Sequence, residues 1–283
     1  MNGVVERGFK YHGLGNDFLI LDRRVTGEDI GSERAQLLCD RHRGVGADGV
    51  LVLLPSEGAA ARMVVHNADG SVPEMCGNGL RCAVKYLADH RLTEAAAPEV
   101  LEVDTGAGRL RCEMGYSQGK VDWVRVGMGP AQLVAPHLPS SKTGRPFVAA
   151  ELEGHPGLRG TAVSMGNPHL VLFSRPLEEA PTLGPVLERH PMFPERTNVS
   201  FARLDPDALS LVVWERGSGL TLACGTAACA AVAAAVHEGR LDPEVWHTVL
   251  LPGGPLKIRA RADLSELLME GPAEAVFELE LPA

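Results

Sequence analysis

Two cysteines stand in matching surroundings. The first lies in Pro73-Glu74-Met75-Cys76-Gly77-Asn78-Gly79-Leu80-Arg81-Cys82, the second in Leu222-Ala223-Cys224-Gly225-Thr226-Ala227-Ala228-Cys229. They are 148 positions apart (224 − 76), close to half of the 283-residue chain. Each precedes a small-residue turn that opens an apolar, helix-like run. A helix N-terminus carries about half a positive charge and up to four unpaired N–H groups. A cysteine placed there has its thiolate stabilised, its pKa moving from about 8.5 toward neutrality. Neighbouring glycines let an anion approach the bare backbone N–H groups. Two such helix ends facing each other would hold one carboxylate between two sulfurs. That suits removing a proton from one face of a carbon and returning it to the other. A lone cysteine reads as buried filler, because free cysteine is among the most buried residue types. The pair, one per half, points to one reaction centre between two related lobes.

The elements that position these cysteines follow from pattern and punctuation. Gly8–His12 and Phe18–Asp22 read as strands joined by the turn-rich 13–17 loop. Ser32 is placed to cap a helix from Glu33 to about His42. The glycines of 44–49 precede a strand rather than link a strand to a helix, so they are not a dinucleotide-binding loop. Strands follow at Val50–Leu54 and Arg62–His66. The helix behind Cys76 carries Leu80, Ala83, Val84 and Leu87 on one face. Leu101–Asp104, Arg109–Met114 and Lys120–Val126 are short and close together, which predicts an antiparallel meander.

The second half repeats the style. Thr161–Met165 and Leu170–Phe173 read as strands, and 177–190 as a helix broken at Gly184-Pro185. Strands then follow Asn198 and span Leu209–Glu215. The helix from Ala227 to about Glu238 is apolar all round, with Gly239 as its C-terminal stop, and should be a buried axis. Four strands, at Val249–Leu251, Leu256–Ala260, Leu267–Glu270 and Val276–Leu281, close the chain. Gly15-Asn16 and Gly166-Asn167 echo one another, and Asn67 and Glu215 each stand nine residues before their cysteine. Internal duplication is the expectation.

Composition narrows the function. A 45% hydrophobic and 22% charged chain is ordinary for a soluble globular protein. A net charge of −9 without a basic cluster argues against nucleic acid and anionic membranes as partners. The start, Met1–Arg7, has no apolar leader core, and the longest apolar run, 220–236, is short for a membrane span. A cytoplasmic protein with six reduced cysteines is expected. No C-x-x-C pair occurs and no histidines match the cysteine spacings, so no metal site is expected. Cys39, Cys82, Cys112 and Cys229 read as core.

The residues together resemble the diaminopimelate epimerase family almost end to end. The matching motifs are 12–18 (His-Gly-Leu-Gly-Asn-Asp-Phe), Asn67-Ala68-Asp69-Gly70-Ser71, the Cys76 motif, Met165-Gly166-Asn167-Pro168-His169 and Glu195-Arg196-Thr197-Asn198-Val199. They continue with Trp214-Glu215-Arg216-Gly217, the Cys224 motif, Leu251-Pro252-Gly253-Gly254-Pro255-Leu256 and Gly271-Pro272-Ala273-Glu274. The resemblance implies an α+β fold of two pseudo-symmetric lobes, each an antiparallel β-barrel-like sheet around a central helix. It places the Cys76 lobe at 1–128 plus 272–283 and the Cys224 lobe at 129–271. It implies cofactor-independent interconversion of LL- and meso-2,6-diaminopimelate in lysine and peptidoglycan-precursor biosynthesis, by a homodimer. Cys76 and Cys224 would be the acid–base pair, with His169 and Glu215 helping to set their protonation. Gly77, Asn78, Gly225 and Thr226 would offer helix N-terminal donors to the reacting carboxylate. Asn16, Asn67, Asn167, Asn198 and Arg216 would hold the substrate's polar ends, Arg216 in a bidentate carboxylate contact.

Taken singly, the asparagines read as turn formers that bond their own backbone, and Arg216 as a solvated loop charge. The chain departs from the family's pattern at Gly49, where many members have glutamine, and at Leu220 and Ala227, often glutamate and glycine. Three other functions compete. One is a cofactor-free racemase of the proline or hydroxyproline type, against which Arg216 and the extra asparagines argue. Another is a thiol–disulfide pair, disfavoured by the lack of C-x-x-C. The third is a non-catalytic amino-acid-binding protein, which would tolerate loss of either cysteine.

Overall fold

The computed structural model describes residues 6–90 and 99–281. The first five residues of the stretch read for a leader therefore lie outside the described residues. The chain divides into two compact units, Met1–Val126 with Gly271–Ala283, and Gly127–Glu270.

The first unit opens with strands β1 (Glu6–Gly13) and β2 (Asn16–Asp22), an antiparallel hairpin. Helix α1 (Gly31–Cys39) carries the chain to β3 (Gly49–Leu54), which lies parallel to β2. β4 (Ala61–Asn67) runs antiparallel to β3. Helix α2 (Gly77–Asp89) then leads to β5 (Val100–Thr105), parallel to β4. β6 (Gly108–Ser117) and β7 (Lys120–Gly129) complete the antiparallel meander that the spacing predicts.

The second unit begins with a single turn, α3 (Ser140–Thr143), and a two-residue strand, β8 (Ala150–Glu151). β9 (Arg159–Ser164) and β10 (Pro168–Leu172) form the next antiparallel pair. A 3-10 turn (Leu177–Glu179) enters α4 (Ala180–Glu188), and β11 (Asn198–Leu204) returns parallel to β10. β12 (Leu209–Glu215) is antiparallel to β11, with β13 (Gly219–Leu220) folded back on its end. Helix α5 (Gly225–His237) leads to β14 (His247–Leu251), parallel to β12. β15 (Gly254–Ala260) and β16 (Leu267–Gly271) follow antiparallel. β17 (Glu274–Leu281) belongs to the first unit, where it pairs antiparallel with β1.

The strands are mostly antiparallel, as expected, but among the described residues four pairs run parallel: β2–β3, β4–β5, β10–β11 and β12–β14. The four parallel pairs fall where a helix intervenes, because two parallel neighbours cannot be joined by a hairpin and need a crossover. The order hairpin, helix, hairpin, helix, meander occurs in both units.

α2 and α5 are the buried axes. From Asn78 to Ala88 every residue of α2 is buried, including Arg81 and Lys85. Their charges find internal oxygens: Lys85 Nζ meets the Val121 carbonyl at 2.5 Å and Asp89 at 2.9 Å. α5 reaches the same state with alanine. Its short side chains let β9, β10, β11 and β15 pack close on several faces. Gly239, at φ 69°, ends it as the sequence predicts. Its N–H bonds Val236 and that of Arg240 bonds Ala235, the two reversed bonds of a left-handed helix stop.

Two local expectations differ. α1 starts at Gly31 without a side-chain cap and stops at Cys39, not near His42. Asp40 Oδ1 takes the His42 and Arg43 N–H groups and bends the chain away, while Val45 and Gly46 return to the Leu38 carbonyl. α4 does not break at Gly184-Pro185. Pro185 forfeits one bond, to the Pro181 carbonyl in the first turn. Gly184 meanwhile lies flat on Trp214, where a Cβ would stand 2.6 Å from the tryptophan Cβ.

Gly184→Ala tests that packing. Helix propensity alone favours alanine by about 1 kcal/mol. Overpacking against a rigid indole costs about 1–3 kcal/mol. Urea unfolding should show net destabilisation; a variant as stable as the parent or more stable would mean Trp214 yields freely.

Candidate active site

Cys76 and Cys224 are the N-caps of the two axial helices, in nearly the same backbone conformation (φ −133°, ψ 113° and φ −132°, ψ 109°). In both cases an extended residue hands over to a small one at the first helical position, Gly77 or Gly225. The first turn's N–H groups therefore have no intrahelical acceptor and lie beside the sulfur. At Cys76 the Gly79 N–H points at Sγ at 3.4 Å. A Cβ there would come 2.9 Å from Leu51 Cδ2, so any larger residue makes Leu51 shift. The counterpart of Gly79 is Ala227, whose backbone N–H acts to lower the Cys224 thiol, although the Cys224 side chain accepts no capping hydrogen bond.

Around Cys76 the polar groups form a relay. Arg81 Nη2 donates to Asn78 Oδ1 at 2.9 Å, and Asn78 Nδ2 donates to Asn16 Oδ1 at 3.1 Å. Asn16 Nδ2 donates to Asp48 at 2.8 Å, and Arg41 bridges Asp48 and Asp17. Burial would raise the Asp17 carboxyl, but Arg41 and Lys10 outweigh it and hold it at about 2. The relay fixes which amide end of Asn16 and Asn78 faces which way. Arg81, fully buried, also donates to the Pro272 carbonyl at 3.2 Å, which ties the returning C-terminal segment to α2. Asn67 stands at the end of β4 in the turn to Ser71, its Nδ2 donating to Ser71 Oγ at 2.9 Å.

Cys224 is more enclosed, at 7% exposed, whereas Cys76 is half-buried. Burial, and then the charge of Glu215, push its thiol well above its ordinary range; Thr226 and the Ala227 N–H act in the opposite sense. The Thr226 hydroxyl lies 3.5 Å from Sγ, and Thr221 Oγ1 holds Glu215 Oε1 at 2.5 Å. Arg216 follows directly. Its N–H is taken by Asn198 Oδ1 at 2.9 Å, while Asn198 Nδ2 donates to the Pro168 carbonyl at 3.0 Å. The Arg216 guanidinium touches the Glu195 carbonyl at 3.0 Å.

His169 sits opposite Asn198 in the β10–β11 register and is fully buried. Burial, with Arg216 and His137 adding to it, lowers its pKa to about 3, so the ring is neutral near pH 7. Nε2 pairs with Asn167 Oδ1 at 3.0 Å, which assigns the proton to Nε2. Nδ1 is then a bare acceptor, without a partner among the described residues.

Each unit thus gathers its own part of the expected set. Cys76, Gly77, Asn78, Asn16 and Asn67 belong to the first unit, and Cys224, Gly225, Thr226, Glu215, Arg216, Asn198, Asn167 and His169 to the second. Glu215 is the acid beside Cys224. Sequence reasoning missed Asp48, Arg41, Thr221 and Glu188. For the first three no pattern set them apart. Glu188 left a trace: it is an acid in the last turn of a helix, where the dipole disfavours it.

The departures acquire a physical reading. A Cβ at Gly49 would stand 2.7 Å from the His66 carbonyl oxygen and 3.3 Å from the Phe18 ring, so no larger side chain fits without movement. Leu220 pairs with Trp214 and is 46% exposed, and Ala227 is buried at the third position of α5.

The family model described as diaminopimelate epimerase matches residues 8–134 and 161–276. Diaminopimelate epimerase of Synechococcus elongatus is 45% identical over 97% of this chain and 98% of its own length. That of Moorella thermoacetica is 44% identical over 96% and 98%. Among solved structures, a hydroxyproline epimerase from Agrobacterium vitis superposes with a TM-score of 0.68, at 18% identity, over 99% of this chain and 92% of that one. A phenazine biosynthesis protein from Bacillus anthracis gives 0.69, at 18% identity, over 99% and 100%. Those two likenesses show the fold.

The electrostatics at Cys224 have a sign that can be measured. Glu215→Gln removes the negative charge that helps raise the thiol, so the pH midpoint for iodoacetamide alkylation of Cys224 should fall. Peptide mass spectrometry reads this against Cys76 in the same sample. A midpoint that stays put or rises would separate Glu215 from the control of Cys224.

Proposed function

The chain belongs to the diaminopimelate epimerase family, and from that premise we propose how its residues carry the reaction. It is an isomerase that interconverts LL- and meso-2,6-diaminopimelate without a cofactor. Cys76 and Cys224 are the acid–base pair. The single observation behind this assignment is their shared geometry: two N-cap thiols in nearly the same backbone conformation, each opening a buried helix.

The chemistry demands one sulfur on each face of the α-carbon. One thiolate removes the α-proton while the opposing thiol delivers one, and the configuration inverts. In the reverse direction the two exchange roles. Cys224, enclosed and beside Glu215, is held toward the thiol form. An α-proton is far less acidic than a thiol, so developing charge on the carboxylate must be met by fixed donors. The first-turn N–H groups at Gly77, Asn78, Gly225 and Thr226 supply them, already oriented by the helix. Asn16, held between Asn78 and Asp48, and Asn67 bind polar groups of the substrate. Asn167 and Asn198 do so in the second unit, and Arg216 takes the remote carboxylate.

The reaction belongs to lysine and peptidoglycan-precursor biosynthesis in the cytoplasm. The net charge of −9 supports a small-molecule partner over nucleic acid or an anionic surface. No described helix is long and apolar enough to cross a membrane. The protein works as a homodimer, for which Val276 and Phe277, 53% and 49% exposed on β17, offer an apolar strip. Sedimentation as a monomer at micromolar concentration would rule that out.

Deuterium incorporation from D2O tests the chemistry. Reduced wild type should exchange one α-hydrogen of LL-diaminopimelate with formation of the meso epimer. Cys76→Ala and Cys224→Ala should each abolish epimer formation, a loss on the order of 10³-fold or more for a positioned acid or base. Exchange of proline or hydroxyproline, with none of diaminopimelate, would move the chain to the racemases whose fold it shares.

A further inference from the structure

Helix α4 ends in an acid that its own dipole opposes, and that acid is 5% exposed. Glu188 Oε1 accepts the Gly217 N–H at 3.1 Å and Arg196 Nη1 at 3.1 Å. Oε2 accepts Trp214 Nε1 at 2.9 Å, and the Glu188 carbonyl accepts the Thr197 N–H at 3.0 Å. One residue therefore joins the end of β12, the turn after it and the segment entering β11.

The turn is the one that carries Glu215 and Arg216. Ser218 N–H closes it onto the Glu215 carbonyl at 3.2 Å, and Gly217 adopts φ 83°. Both central N–H groups are taken by side chains: that of Arg216 by Asn198 and that of Gly217 by Glu188. Glu215 has its own restraint in Thr221. Releasing Gly217 therefore frees the direction in which Arg216 leaves the turn more than it frees the carboxylate beside Cys224.

The first unit repeats the device with different chemistry. Gln36 of α1 donates its Nε2 to the Asp69 carbonyl at 2.6 Å, within the turn that carries Asn67. Asp69 and Gly217 are 148 positions apart (217 − 69), the same offset as the cysteines, and Gln36 and Glu188 are 152 apart (188 − 36). The helix outside each sheet thus reaches the same point of the loop before the axial helix. A contact kept at equivalent places while its polarity reverses marks a position used to hold that loop.

We infer that Glu188 is a positioning residue: through the Gly217 N–H it fixes the Glu215–Ser218 turn and thereby aims Arg216 at the substrate's remote carboxylate. The inference rests on the reading of Arg216 as a substrate-binding residue. It assigns Glu188 an effect on binding of the two-ended substrate and little on proton transfer.

The test uses the full-length protein with Glu188→Ala and Glu188→Gln. Glutamine keeps one acceptor but turns an amide N–H₂ toward the other donors, so it should rescue partly. Glu188→Ala should raise KM for LL-diaminopimelate on the order of tenfold with kcat within about threefold, a loss of binding common to ground and transition states. In an Arg216→Ala background the same change should add less than about twofold, because both act through one contact. Hydrogen exchange at the Gly217 and Arg216 amides should quicken by about tenfold or more, with α5 and β14 unaltered. An unchanged KM, or a full additional loss in the Arg216→Ala background, overturns the assignment. The exchange measurement needs no substrate. A wild type inactive on LL-diaminopimelate refutes the proposed reaction, whereas unaltered exchange at Gly217 refutes the clamp whatever the substrate proves to be. If Glu188→Ala does not fold, Glu188→Gln carries every measurement at smaller amplitude.

Discussion

Everything in this fold answers to one constraint: a cysteine must cap a helix that is buried along its length. The helix end supplies polarity to the sulfur because the first-turn N–H groups have no intrahelical carbonyl to bond, and burying the helix within the strands strengthens that field. That demand explains the composition of both axes. α5 meets it with alanine, which lets strands approach on several faces. α2 meets it while carrying Arg81 and Lys85, and each charge is led to oxygen atoms inside the same unit. An unpaired buried charge would cost several kcal/mol, so these contacts are conditions of the fold rather than additions to it.

The second organising fact is repetition. Both units run hairpin, helix, hairpin, helix, meander, and both switch to a parallel pair at the two helical crossovers. The outer helices α1 and α4 do more than cover a sheet. Each ends near the loop that precedes the axial helix and touches it with one polar side chain, Gln36 or Glu188. A loop has few backbone partners of its own, so a side chain from a rigid neighbour is an efficient way to hold it. Such contacts link the packing layer to the site without entering it.

How much of this could be read from sequence follows from the range of each interaction. The cysteine helices were legible because their signals are local: an N-cap position, small residues behind it, and a run too apolar to be exposed. Gly239 as a helix stop was legible for the same reason. The mixed character of the sheets was not, since strand direction depends on partners far apart in the chain. The stop of α1 at Cys39 turned on Asp40 catching two N–H groups, a choice that propensity does not reveal. Gly184-Pro185 misled because a break signal was overruled by the flat face of Trp214, thirty positions away. The asparagines were visible as turn formers and as family positions. That Asn16 and Asn78 belong to one relay ending at Arg41 and Asp17 appears only when β2, α2 and the 40–48 segment are brought together.

Symmetry of backbone does not give symmetry of charge, and the difference has a chemical use. Nine residues before Cys76 stands Asn67, neutral and tied to Ser71; nine before Cys224 stands the carboxylate of Glu215. At the third helical position Gly79 faces one sulfur and Ala227 the other, so the second helix end is also the more crowded. An enzyme with two identical thiols would divide its single removable proton evenly between them, and half of its molecules would meet a given substrate in the wrong state. In the proposed reaction, the negative charge beside Cys224 would bias the proton toward that sulfur before substrate arrives. The bias must remain small enough to be reversed, because the opposite reaction needs the opposite assignment. Glu215 is itself held by Thr221 and partly exposed, which moderates its field. The repeated fold provides two equivalent places for a sulfur, and in the proposed reaction the few residues that break the repeat would decide where the proton rests.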